Sequence, residues 1–201
     1  MKNIFKIAVL FIALTVAFSS FTACTKTATT QQGAVDETTS PASDKNTDEA
    51  KKSDYPPAPV GVSQAEIKNL DGSTFKIEEK KGKVVLLNLW ATWCGPCRAE
   101  MPELIALQDK YRDKDFEVIG LNTDDESVEE IKDFAAKMKL NYTLAWADGK
   151  LRNELLRISK YNGIPQSYMI DREGKLRGVF TGGGAKVINQ LKETAEKVIN
   201  E

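Results

Sequence analysis

The chain has no histidine among its 201 residues, and this single absence excludes a large part of the usual catalytic repertoire. It removes imidazole general bases, histidine metal ligands and Cys-His nucleophile pairs together. Cysteine is scarce too, with three residues, Cys24, Cys94 and Cys97. The pair Cys94 and Cys97 has no second C-x-x-C to complete an ordinary four-ligand structural zinc site, so no metal is expected. Arg98 follows Cys97 where a haem-attachment motif would need histidine. Charge of one sign is also lacking: 28 basic and 29 acidic residues leave a net charge of −1. No basic block is interleaved with aromatics, so nucleic-acid binding has no footprint. No internal repeat is visible. Redox chemistry is what remains for Cys94 and Cys97.

Those two thiols stand in Trp93-Cys94-Gly95-Pro96-Cys97, directly after the apolar run Val84 to Trp90. A buried strand therefore runs into a short loop that opens a helix. Two intervening residues let the sulfurs form and break a disulfide. The helix N-terminus favours negative charge, which stabilises a thiolate and lowers the thiol pKa. In a strand–helix setting the pair reads as redox-active rather than as a structural bridge.

Ahead of this domain lie two segments of different character. Lys2 and Lys6 flank the start of an apolar stretch from Ile4 to Phe18, followed by the small residues Ser19 and Ser20. This is the layout of an export signal covering residues 1–23. Phe21-Thr22-Ala23-Cys24 resembles a bacterial lipobox, with Phe21 where Leu is usual, which implies that Cys24 becomes a lipid attachment point. An uncleaved apolar anchor, since Ile7 to Ala23 carries no charge, and plain secretion are the alternatives. Each version places the dithiol outside the cytoplasm, and the first two hold it at a membrane. From residue 24 to Pro59 the composition turns to Thr, Ser, Asp, Glu, Lys, Ala and Pro, which cannot bury enough apolar surface to fold. A tether of about 35 residues would reach roughly 30–35 Å.

The folded domain is expected over 60–201 as an α/β unit. Ala65–Leu70 and Thr74–Ile77 flank Asp71-Gly72 and predict an N-terminal β-hairpin. Val84–Trp90 is too continuously apolar for a half-exposed strand and suits the middle of a parallel sheet. Helical spacing marks Cys97 to Tyr111, and Phe116–Leu121 reads as the next strand, joined to the first by a right-handed crossover. Ser127 with Glu130 predicts a capping box. Tyr142–Trp146 reads as a short strand, and Leu151–Ile158 as a short helix. Ser167–Ile170 and Leu176–Phe180 read as a second hairpin, with a final helix over Ala185–Asn200. A mixed sheet with helices on both faces results.

Asn88 to Cys97, together with Gly163-Ile164-Pro165 leading into Met169 to Lys175, resembles the thioredoxin superfamily and its exported TlpA/ResA-type branch. The resemblance implies a thioredoxin-like fold and a thiol-disulfide oxidoreductase. It implies a cis-proline at Pro165 beside the dithiol, leaving the backbone of Ile164 free to pair with a substrate strand. Trp93 would be a lid beside the sulfurs. Asn88 replaces the buried Asp of cytoplasmic thioredoxins, and Glu100 occupies the position of an active-site glutamate. At three residues after Cys97, Glu100 shares its helix face and could tune the thiols or take a proton; a solvated acid complementing the dipole is the bland alternative. Pro102 matches a helix-kinking proline. Gln166 stands where Thr is frequent. Trp90 reads as core. Asp124-Asp125-Glu126 reads as a complement to the next helix dipole.

The expected mechanism is attack by Cys94 on a partner disulfide and resolution by Cys97. Gly95-Pro96 is the thioredoxin dipeptide, which points towards a reductant. No cofactor is expected beyond the redox pair itself. Expected partners are disulfide-containing exported proteins, such as apocytochrome c, and a membrane protein that supplies electrons. A thiol peroxidase and a non-enzymatic client-gripping module are the competing classes.

Overall fold

The computed structural model describes residues 54–201. The signal segment, Cys24 and most of the tether lie outside the described residues. Seven strands form one sheet in the order β2-β1-β5-β4-β3-β6-β7. They are β1 (Ile67–Asn69), β2 (Thr74–Phe75), β3 (Val84–Trp90), β4 (Phe116–Asn122), β5 (Thr143–Trp146), β6 (Gln166–Ile170) and β7 (Leu176–Thr181). The helices are α1 (Val60–Ser63), α2 (Gly95–Tyr111), α3 (Val128–Met138), α4 (Gly149–Ser159) and α5 (Ala185–Ile199).

β3 is buried along its whole length, as its unbroken apolar run requires. It pairs parallel with β4 and antiparallel with β6, so the centre of the sheet is mixed. Alternation across the strand splits the core into two layers. Val85, Leu87 and Leu89 pack with Leu151 and Leu155 of α4. Val84 and Leu86 pack with Leu104 and Leu107 of α2 and Leu191, Ala195 and Val198 of α5. A third cluster at the C-terminal end of β3 joins Trp90, Cys94, Cys97 and Met101 to Ile131 of α3. Trp90 is fully buried and stacks on Phe134 at 5.2 Å between ring centroids. Gly120 of β4 makes this approach possible. A Cβ there would lie 2.9 Å from Leu144 and 3.0 Å from Trp90 Nε1.

Three local expectations are adjusted by the structure. The N-terminal hairpin is present, with Asp71 Oδ1 accepting from the Ser73 N–H at 2.9 Å, but its second strand stops at Phe75. Ile77 instead starts a 3-10 turn, because the Glu79 carboxylate turns back to the Lys76 N–H at 3.1 Å. The helix around Leu151 begins earlier, at Gly149, where Asp148 accepts from the Leu151 N–H at 2.7 Å. The ordered fold also begins ahead of Val60. Pro57 bridges to Lys175, the Ala58 N–H donates to Gly174 O, and Tyr55 lies under the Arg177 guanidinium at 4.2 Å. A proline-rich segment is already extended and lacks donors, so it suits a sheet edge. The expected capping box is present, with Ser127 Oγ accepting from the Glu130 N–H and Glu130 returning to the Ser127 N–H.

Candidate active site

The site is built where β3 ends. Cys94 is the N-cap of α2, and its Sγ accepts the Cys97 N–H at 3.2 Å. Gly95-Pro96 forms the first turn, where a proline loses no helical hydrogen bond. Cys94 and Cys97 form a disulfide with Cα atoms 5.3 Å apart. Both cysteines are buried, at 3% and 1% exposure, while Trp93, Gly95 and Pro96 face solvent. Cys94 is therefore only marginally the more open of the two. The N–H aimed at its sulfur and the positive end of α2 would both stabilise a thiolate there. Pro102 sits inside α2, where it removes one backbone hydrogen bond.

Glu100 lies one turn beyond Cys97 and is 8% exposed. Its Oε1 accepts from Asn88 Nδ2 at 2.8 Å, and the same amide donates to Ser167 Oγ at 3.0 Å. Burial pushes the Glu100 carboxyl up to about 7, against the opposing effect of the Asn88 hydrogen bond. A group so poised exchanges protons near neutral pH. The solvated reading of Glu100 is thereby set aside, because a carboxylate complementing a dipole in water would not be buried. The hydroxyl of Tyr142 is buried without a partner among the described residues. Burial and the nearby Glu100 charge hold it protonated, above the ordinary tyrosine range.

The second wall comes from the loop before β6. The Ile164–Pro165 bond is cis. Ile164 packs against the cluster containing Cys94 and Cys97. Its backbone N–H and C=O have no intramolecular partner among the described residues. The Pro165 carbonyl accepts from the Gly182 N–H at 2.9 Å. Gly183 passes so close to the dithiol turn that a Cβ would lie 3.0 Å from Pro96 Cβ. Thus Cys94, Cys97, Glu100, Ile164 and Pro165 converge on one end of the sheet.

Trp93 stands at the edge of this group, 66% exposed. Its Nε1 donates to Asp124 Oδ2 at 2.6 Å, and this N–H, with the Asp125 N–H, holds the Asp124 carboxyl below its ordinary range. Thr92 Oγ1 and Asn122 Nδ2 both donate to Glu126. Asn122 Oδ1 accepts the Asp124 N–H at 2.8 Å. The acidic triplet therefore does more than complement the dipole of α3: two of its carboxylates hold the residues leading into Cys94. Only the adjacency of β3 and β4 brings these groups together, and no local pattern signals it. Among the described residues, no group of acidic or cysteine side chains is arranged to hold a metal.

The sequence matches the AhpC/TSA family over residues 61–179. The chain belongs to the AhpC/TSA family. The chain is 33% identical over 132 residues to the thiol-disulfide oxidoreductase ResA of Bacillus thuringiensis subsp. konkukian, covering 66% of this chain and 73% of that protein. The thioredoxin-like protein YneN of Bacillus subtilis is 32% identical over 136 residues, covering 64% and 77%. Among solved structures, a thiol:disulfide interchange protein of the thioredoxin family from Chlorobium tepidum superposes with a TM-score of 0.61 at 26% identity, covering 73% of this chain and 98% of that one. The protein is a thiol-disulfide oxidoreductase of the ResA type, with a thioredoxin-like fold.

Proposed function

We propose that the protein reduces disulfides of exported proteins from a membrane tether outside the cytoplasm, with apocytochrome c cysteines as one client class. The observation that carries this reading is Cys94 as the N-cap of α2, its sulfur facing the Cys97 N–H beside a loop with free backbone groups at Ile164. The Cys94 thiolate attacks one sulfur of the client disulfide, forming a mixed disulfide and releasing one client thiolate. Cys97 then loses its proton to the Glu100 carboxylate and attacks Cys94 Sγ. The second client thiolate leaves, and two electrons have passed from the dithiol to the client. Ile164 and Pro165 position the client strand, and Trp93 lines the rim. An exported reductant has to be recharged, so a membrane protein passing electrons from the cytoplasm is part of the proposal.

The direction of flux is tested by the reduction potential of the Cys94–Cys97 couple, measured by equilibration in glutathione or dithiothreitol buffers. The expected value is below about −200 mV, towards that of thioredoxin. A value near −120 mV, typical of a strong oxidant, would recast the protein as a disulfide donor.

Anchoring is assigned to lipid on Cys24, supported by the apolar run and the small residues ahead of it. Among the described residues no helix is long and apolar enough to cross a membrane. A Cys24→Ser chain is expected in the soluble extracytoplasmic fraction. Retention on the membrane would point instead to an uncleaved N-terminal anchor.

A further inference from the structure

We infer that Gln166 is a positioning residue for the client strand: its buried carboxamide fixes the backbone leading into Ile164. This rests on the reductase reading above. Gln166 opens β6 immediately after Pro165, and the alternation of the strand turns its side chain to the α4 face, away from Ser167, Asn88 and Glu100. The residue is 1% exposed. Its Nε2 donates to Tyr161 O at 3.0 Å and also to Gly163 O. Its Oε1 lies 2.6 Å from the Tyr168 hydroxyl, which is also 2.7 Å from Leu155 O in α4.

The orientation of this amide is fixed by its neighbours. Two backbone carbonyls can only accept, so the NH₂ end must face them and the oxygen must face Tyr168. The Tyr168 hydroxyl, its one proton shared between Gln166 Oε1 and Leu155 O, sets the carboxamide beside α4. The loop is held at other points as well. Lys160 ends α4 with φ 55°, the Tyr161 N–H donates to Ser159 Oγ at 3.2 Å, and the Tyr161 ring folds onto Gly163, where a Cβ would sit 3.0 Å from it. With the carbonyls of residues 161 and 163 taken up by Gln166, the Ile164 N–H and C=O remain without an intramolecular partner among the described residues. An extended client segment can add to them as a strand, and a loop already fixed by Gln166 loses little entropy on binding. The requirement is for Gln specifically. A carboxylate here would set its lone pairs against two carbonyls, and an aliphatic side chain would leave Gly163 O without a partner and Tyr161 O with only the 3.4 Å contact from Ser159 Oγ.

The test compares two substrates with the full chain in its reduced form. One is a cyclic peptide closed by a disulfide, which can pair with Ile164. The other is 5,5′-dithiobis(2-nitrobenzoate), which has no backbone to pair. Single-turnover rates against peptide concentration give a half-saturation constant and a plateau. Gln166→Met is expected to raise the half-saturation constant about tenfold. The plateau, the Cys94–Cys97 potential and the rate with the small disulfide should stay within about twofold of the parent on this reading. Tyr168→Phe, which frees the carboxamide without touching the loop, should raise the constant in the same direction, and it decides the question if Gln166→Met does not fold. An unchanged constant in the folded variants, or an equal loss with both substrates, overturns the inference and leaves the reductase reading standing. A parent protein that reduces neither disulfide overturns both.

Discussion

A Cys97→Ala protein is expected to accumulate one covalently attached client per molecule and to lose turnover. Cys97 is 1% exposed and bonded to Cys94 in the oxidised protein, so no other described thiol can reach the mixed disulfide. The attack by Cys94 is left intact, because its sulfur is stabilised by the backbone N–H of residue 97, which alanine retains. Loss of a covalent partner in a two-step exchange costs turnover on the order of 10³-fold or more. Non-reducing electrophoresis of the variant from cells should show dithiothreitol-sensitive adducts, which also identify the client. A variant that still supports the biological task without adducts would favour a client-gripping module over an oxidoreductase. A peroxide-consuming parent would point to the peroxidase alternative.

The second large effect is on stability, through Glu100. Its carboxyl moves from 4.5 to about 7 in the oxidised fold because burial disfavours the charged form. A raised pKa means the folded state binds the proton more tightly than the unfolded chain. The corresponding stability is fully present below pH 4.5 and is lost as pH rises through about 7. The span corresponds to about 3 kcal/mol between pH 4 and 8. Glu100→Gln removes this dependence while keeping an oxygen for Asn88 Nδ2. Denaturant titrations at pH 4 and pH 8 should therefore show the oxidised variant gaining about 3 kcal/mol on the parent across that interval. An identical pH dependence in the two proteins would mean that Glu100 is solvated. In catalysis the variant should lose the ability to take the Cys97 proton, so the resolution step slows at pH values near and above about 7, where the parent's carboxyl is ionised.

Much of this arrangement is legible along the chain because it is written locally. The run Val84–Trp90 announces a strand buried on both faces, and Ser127 with Glu130 announces a helix start. Cys94-Gly95-Pro96-Cys97 carries its own chemistry, since the spacing and the helix N-terminus suffice to make a redox pair. Ile77 was less legible: its apolar side chain enters the core, at 4% exposure, through a 3-10 turn rather than through the strand its alternation suggests. Burial was satisfied in either conformation, and the Glu79 cap decided between them.

The redox pair and the capping box were legible along the chain because each depends on residues within a few positions of one another, whereas the cis bond at Pro165 was legible only through the family resemblance. The surroundings of that pair are set by how the strands pack. Asn88 and Ser167 meet Glu100 because β3 lies between β4 and β6, and their shared burial turns an acid on a helix into a group that titrates near neutrality. Asp124 and Glu126 reach Trp93 and Thr92 because β4 ends beside β3. Gln166 grips the loop through Tyr161 and Gly163 while Tyr168 ties it to α4. Hydrogen-bonding and desolvation energies depend on which groups are brought within about 3 Å and how much water is excluded there, and chain distance sets neither.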